Sequence, residues 1–363
     1  MAMHKAFKAL ETIATRRLTV TFDKIDFTYT GLSWKRLANW ALGEAAFVLK
    51  ADRAWAYPTH LQVEPTNLCN LRCPVCHTVT DGKPQGLLSL ADFQKIIDEL
   101  GDYLLLLHFW GWGEPFINKD FFSMIKYAKS KGIKIITSTN GHFFEEESNV
   151  DRLLDAGLDV LIFALDAVDR ETYEKYRRQG DFDRALGGLR RLLRRKEERG
   201  VALPLVNLRM LVTRNNESQI PRMKSLAQEL GVDVLTLKTM NSFDNETTGA
   251  TLIPVNRDYR RFEYDETGHP IRQENSCKKL WNHPTIYRDG VVVACDYYTG
   301  LELPLGNVFA DGGGFRKIWF GEDFRRLRAR FAKRELAGIR CESCALNFAG
   351  VDRCISHVFR FAR

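Results

Sequence analysis

The chain has 363 residues, too many for one small domain, and its 45% apolar and 27% charged residues are those of an ordinary globular protein. The formal charge of +7 invites a nucleic-acid reading, but much of it lies in "YRRQGDFDRALGGLRRLLRRKEERG" and "FRRLRARFAKRE", where arginines at helical spacing read as solvated helix faces. The first twenty residues contain no apolar core of signal-peptide length, and "YLLLLHFWGW" is too short to span a bilayer, so a cytoplasmic protein that binds no nucleic acid is expected.

Residues 1–58 read as an N-terminal extension. "RLTVTFDKIDFTYT" alternates polar and apolar residues on both sides of Asp23-Lys24 and predicts a hairpin, although that turn lacks the favoured glycine. "SWKRLANWALGEAAFVLK" predicts a helix with Trp34, Leu37, Ala41, Ala45 and Val48 on one side. Such a helix is expected to cover the floor of the following unit or pack on a partner, in preference to resting on a membrane.

Residues 59–240 alternate extended apolar runs with amphipathic helical patterns, the signature of βα units on a parallel sheet. Six strands are predicted: "HLQVEP", "LLLLHFW", "IKIITST", "VLIFALD", "LVNLRMLV" and "VLTLKTM". The intervening helices include "SLADFQKIIDELG", with Ser89 as N-cap, and "KDFFSMIKYAKSKG", ending on Gly132. Right-handed crossovers curl such a sheet toward an open, partial TIM-type (β/α)6 barrel, an α/β fold. From residue 241 to 363 the alternation stops, and short strands, glycines and five cysteines predict a small domain held by metal.

Eight cysteines without a secretion signal argue for metal rather than disulfides. Cys69, Cys73 and Cys76, spaced C-x(3)-C-x(2)-C, follow the first barrel strand and therefore lie at the mouth, where such folds place their chemistry. Three thiolates hold three irons of a cubane and leave the fourth open; a structural zinc site would need a fourth ligand, for which adjacent His77 has poor geometry.

These cysteines, with "GWGEP" after the second strand, resemble the radical S-adenosylmethionine (SAM) superfamily over residues 59–240. The resemblance implies a 4Fe-4S cluster on the three cysteines, whose unique iron is chelated by SAM. Gly111, Gly113 and Glu114 would then receive the SAM ammonium, Pro115 would stiffen the turn, and Ser138, Thr139 and Asn140 would bind ribose or carboxylate, with a simple turn as the alternative. Asp166 is expected near the mouth, and Arg209 to pair with the SAM carboxylate or in a structural ion pair.

The C-terminal cysteines read Cys277-x(12)-Gly290-x(4)-Cys295, then Cys341-x(2)-Cys344 and Cys354, which resembles the SPASM/twitch extension of that superfamily. Where the full pattern has a third cysteine after the C-x(2)-C, this chain has Gly350, so one auxiliary 4Fe-4S cluster on Cys277, Cys295, Cys341 and Cys344 is implied, with zinc as the alternative. Cys354 is then a competing ligand, a buried inert thiol or a hydrogen-atom donor, as in related epimerases. Asp296 matches an aspartate that serves as a base in sulfatase-maturating relatives; a turn aspartate is the plain alternative.

The resemblance implies reductive cleavage of SAM to a 5′-deoxyadenosyl radical and hydrogen abstraction from a biosynthetic intermediate, followed by oxidation or epimerisation. The reductant would be a flavodoxin or ferredoxin. No leader-peptide recognition pattern stands out near the start, and the basic balance favours an anionic or sugar-like small molecule over a peptide. An iron-sulfur electron carrier would leave "GWGEP" without a role, and a zinc-stabilised binding module would leave six βα units without one.

Overall fold

The computed structural model of the chain describes residues 11–76, 84–241, 251–267, 269–273, 277–297, 304–342, 344–350 and 354–361. His77 lies outside them. Strands β1 (Leu18–Phe22) and β2 (Ile25–Tyr29) form the N-terminal antiparallel hairpin. Asp23 and Lys24 both take left-handed φ, +49° and +59°, the geometry of a tight two-residue hairpin loop, without the glycine that normally relieves it.

Six parallel strands follow in chain order: β3 (His60–Val63), β4 (Leu106–His108), β5 (Lys134–Thr139), β6 (Val160–Ala164), β7 (Leu205–Val212) and β8 (Val234–Thr239). They coincide with the six apolar runs. The sheet is buried on both faces, so β6 reads Val-Leu-Ile-Phe-Ala with every residue buried and no polar alternation. Helices pack its outer face: Phe93, Ile97, Met124, Ile125, Leu153 and Leu189 join Leu61, Leu107, Ile135 and Leu161 in the main core. Ser89 Oγ accepts from the Asp92 amide (3.0 Å) to cap Leu90–Leu100, and Gly132 (φ +72°) ends the turn after Phe121–Ser130.

The inner face holds the N-terminal hairpin. Leu18, Ile25, Phe27 and Tyr29 pack against Leu106, Ile136, Val160 and Ile162, the residues that alternate with the outward-facing set. Tyr29 Oη donates to the Leu105 carbonyl (2.7 Å), and Phe22 meets His108 with ring centroids 4.0 Å apart. The helix Trp34–Val48 lies beside the N-terminal ends of the strands, where Arg36 donates to the carbonyls of Gly101 (2.7 Å) and Gly132 (3.2 Å). Its buried side differs from the predicted one: Leu37, Asn39, Gly43 and Ala46 face inward, while Trp34 and Val48 are exposed. The reason is polar. Asn39 exchanges two hydrogen bonds with the Tyr57 backbone, and satisfying that buried pair turns the helix.

Residues beyond 240 extend the same sheet on both edges. β9 (Thr285–Ile286) runs parallel to β3 and continues through β10 (Val291–Val293) to β11 (Gly306–Asn307), while β12 (Ile355–Arg360) lies antiparallel on β8. The ten-stranded order is β11-β10-β9-β3-β4-β5-β6-β7-β8-β12, and its two end strands do not pair, so the sheet is open. Among the described residues no helix is long and apolar enough to cross a membrane.

The arginine runs are more than solvated faces. On Phe182–Glu198 and just past its end, Arg195 pairs with Asp151 (2.8 Å) and Arg199 with Asp155 (2.6 Å) on the neighbouring helix Glu147–Ala156. Arg328 is fully buried, lies over the Trp319 ring and donates to the Leu280 carbonyl (2.9 Å).

Candidate active site

A cavity of about 670 Å³ opens at the C-terminal ends of the barrel strands. Cys69, Cys73 and Cys76 line it together with Gly111, Gly113, Glu114, Ser138, Asn140, Asp166 and Arg209, residues scattered over 141 positions of sequence. Asp296 and Cys354 line the same cavity from the C-terminal region.

The cysteine loop after β3 is tied to the "GWGEP" turn by backbone contact. Glu114 N donates to the Leu68 carbonyl (2.8 Å), and a Cβ on Gly113 would lie 2.4 Å from the Thr66 carbonyl oxygen. Only glycine allows that approach. Within the loop, Cys69 Sγ accepts from the Leu71 amide (3.4 Å) and the Cys76 amide donates to the Cys73 carbonyl (3.1 Å).

Glu114 is 3% exposed and organises the next loop rather than standing free. Its carboxylate accepts from the Asn140 amide (2.7 Å), Thr139 Oγ1 (3.0 Å) and the Phe116 amide (3.3 Å). Burial pushes its pKa up to about 7 despite those three donors. Asn140 Nδ2, directed by that loop, donates to Asn70 Oδ1 (2.8 Å) and comes 4.0 Å from Cys69 Sγ, so "STNG" is joined to the cysteine loop.

Asp166 accepts from Arg177 Nε (2.6 Å) and from the Leu211 amide (2.7 Å). Arg177 was not evident in the sequence, because its meaning depends on a partner across a strand-to-helix connection. Its charge acts on Cys73, whose thiol burial nonetheless raises. Arg209 Nη1 pairs with Asp23 Oδ2 at 2.7 Å, and Arg209 Nε donates to Thr236 Oγ1 (3.2 Å). The carboxylate facing Arg209 is thus one of the chain's own, brought by the hairpin turn.

The four remaining cysteines converge elsewhere. Cys277, Cys295, Cys341 and Cys344 line one small space walled by Leu280, Phe331 and Leu346. Cys354 is not among them. It lies across the large cavity's wall, where Arg261 Nη1 is 3.6 Å from its Sγ and Arg261 Nη2 donates to Tyr297 Oη (2.7 Å). Gly350 sits at φ +87°, and a Cβ there would lie 2.7 Å from the Arg261 carbonyl oxygen, so a cysteine is excluded from that position as the backbone stands. Asp296 Oδ1 is 2.5 Å from Lys279 Nζ; burial works against the Lys279 charge, but Asp296, Tyr297 and Cys295 outweigh it and raise its pKa.

Burial disfavours the thiolate form in both cysteine sets. Burial pushes Cys69 and Cys277 up to about 12, and raises Cys344 and, further, Cys295. Such thiols ionise only beside a compensating positive charge, which a bound iron-sulfur cluster provides.

The radical SAM superfamily profile matches residues 63–227, and the SPASM iron-sulfur cluster-binding domain profile matches residues 277–345. The chain belongs to the radical SAM superfamily. Among radical SAM relatives, it is 25% identical over 323 residues to the tungsten-containing aldehyde ferredoxin oxidoreductase cofactor-modifying protein of Pyrococcus furiosus, covering 80% of this chain and 88% of that protein. It is 27% identical over 298 residues to the mycofactocin maturase of Mycobacterium tuberculosis, covering 76% of this chain and 74% of the other. Streptococcus suis SuiB bound to its precursor peptide SuiA shares the fold with a TM-score of 0.59 at 14% identity, over 94% of this chain and 82% of that one. As a radical SAM enzyme with a SPASM domain, the protein has iron-sulfur clusters and SAM as its cofactors.

Proposed function

We propose that this radical SAM enzyme abstracts hydrogen from a C–H bond of a biosynthetic intermediate held in the large cavity. In this reading residues 59–240 form the catalytic barrel, 241–363 the auxiliary domain and 1–58 an extension that completes the barrel interior. Cys69, Cys73 and Cys76 hold the SAM-binding cluster, and Cys277, Cys295, Cys341 and Cys344 hold one auxiliary cluster. The observation that carries the reading is that one cavity gathers the three cysteines, Glu114 and Asn140 with Asp296 and Cys354, while the other four cysteines surround a separate space.

Bound there, the clusters and SAM supply a 5′-deoxyadenosyl radical and an acceptor for a second substrate electron. The chain's residues then choose between two outcomes. Cys354, facing the cavity and free of the four-cysteine set, returns a hydrogen atom to the substrate carbon and gives epimerisation, its sulfur being restored by an electron from the reductant and a proton from solvent. Asp296, next to Cys295 and joined to Lys279, takes a proton instead and gives oxidation; Tyr297, bordering both spaces, supports this second reading. A small anionic or sugar-like substrate suits the cationic cavity, and likeness to the mycofactocin maturase supports a peptide as the alternative. A flavodoxin or ferredoxin supplies electrons.

Anaerobic reconstitution tests the class. A brown protein with about eight irons that releases 5′-deoxyadenosine on reduction supports it, and a colourless zinc protein overturns it. Deuterium incorporated from solvent into product favours Cys354; two-electron oxidation without deuterium favours Asp296.

A further inference from the structure

The charges around the large cavity do not balance among the described residues. Three carboxylates are each matched: Asp166 with Arg177 at 2.6 Å, Asp23 with Arg209 at 2.7 Å, and Asp296 with Lys279 at 2.5 Å. The fourth, Glu114, is turned toward backbone amides and Thr139. Three further cations line the cavity without an ion pair to any described carboxylate: Arg261, Lys238 and Lys24.

Arg261 is the unusual one. It is 5% exposed, and its Nε has no hydrogen-bond partner among the described residues. Its two terminal nitrogens meet a phenol, Tyr297 Oη at 2.7 Å, and a thiol, Cys354 Sγ at 3.6 Å. Neither is a carboxylate. Leaving a buried guanidinium without a counter-charge costs free energy, and its planar fork matches the oxygens of a carboxylate or phosphate.

We propose that Arg261 is the centre of a substrate subsite for an anionic group, a carboxylate or a phosphate, with Lys238 from β8 and Lys24 from the hairpin turn at its rim. The anion anchors the substrate against Cys354, so the carbon to be attacked lies between that thiol and the SAM side of the cavity. Lys24 makes the N-terminal hairpin part of substrate recognition, since its turn reaches the same cavity from inside the barrel. The inference rests on the radical SAM reading of the cavity and deepens it.

The test is calorimetric titration of the reconstituted, SAM-saturated protein with inorganic phosphate and, separately, acetate, at constant ionic strength. Saturable one-site binding of either anion is expected, weakened about tenfold or more by Arg261→Gln and about threefold by the double variant Lys24→Gln, Lys238→Gln. Which anion binds more tightly distinguishes phosphate from carboxylate substrates. No saturable binding, or binding that Arg261→Gln and the double variant both leave intact, overturns the proposal. So does binding that appears only without SAM, because the SAM carboxylate would then be the partner of Arg261. If Arg261→Gln fails to fold, the double variant at the less buried lysines decides alone. Release of 5′-deoxyadenosine by the wild-type protein is measured in parallel: its presence without anion binding removes the subsite and leaves the class, and anion binding without it removes the class.

Discussion

The two cysteine sites of this molecule are built in opposite ways. The three-cysteine site is one wall of a wide cavity whose other walls come from the ends of five further barrel strands, the N-terminal hairpin and the C-terminal region. The four-cysteine site is a small space lined by residues 277 to 346 alone, most of them apolar besides the thiols. A site meant to admit SAM and a substrate must leave metal coordination and volume open, so it draws on many distant segments to place each polar group. On the proposed reading the enclosed set carries a cluster that only has to be held and insulated, and it closes locally, with four thiols for four irons.

The largest expected effect separates the two sites directly. Replacing Cys69, Cys73 and Cys76 together by alanine should abolish 5′-deoxyadenosine formation and remove about four of about eight irons, leaving the enclosed set loaded. Iron analysis and chromatography of the reaction check this, and retention of all the iron would mean that the open site holds none.

The open site's dependence on remote segments is tested at Asp23. Asp23→Ala leaves Arg209, 6% exposed, without its carboxylate and should lower unfolding free energy by about 3 kcal/mol, read from chemical denaturation. An unchanged midpoint would reduce the hairpin to a bystander of the cavity.

On the closed side, Gly350→Cys restores the missing cysteine of the motif at a left-handed backbone position facing the Arg261 carbonyl. It should cost about 1–3 kcal/mol and add no iron. A gain of iron at undiminished stability would show that the auxiliary region adapts to a second cluster.

The smallest effect is a pH dependence in the open site. Glu114 has its folded pKa raised from 4.5 to about 7, so its protonated form is favoured by folding. Its contribution is therefore complete below pH 4.5 and is lost as pH rises through about 7. In cluster-free protein, the thermal midpoint of wild type relative to Glu114→Gln should fall across that window; a flat difference would place Glu114 in a wetter setting than its 3% exposure indicates.

Local pattern made much of this readable. The six barrel strands were legible because parallel strands buried on both faces are continuous apolar runs, and Ser89 and Gly132 mark helix ends by chemistry that acts within one turn. Cysteine spacing with "GWGEP" likewise carried the family. The helix Trp34–Val48 was legible as a helix but not in its orientation, since the burial of Asn39 depends on the Tyr57 backbone 18 residues away. The arginine runs misled in part for the same reason: Arg328 resembles its exposed neighbours until Trp319 and the Leu280 carbonyl are placed around it.

The sequence by itself determined the elements, the class of chemistry and the two groups of thiols, because periodicity, capping and motif spacing are properties of neighbouring residues. Only the tertiary structure decided which charges meet. It set Asp23 against Arg209, separated Cys354 from the other four cysteines of its region, and left Arg261 buried beside a phenol and a thiol. Those pairings join residues tens to hundreds of positions apart, and electrostatic and hydrogen-bond energies depend on distance and burial in space, neither of which is encoded in spacing along the chain.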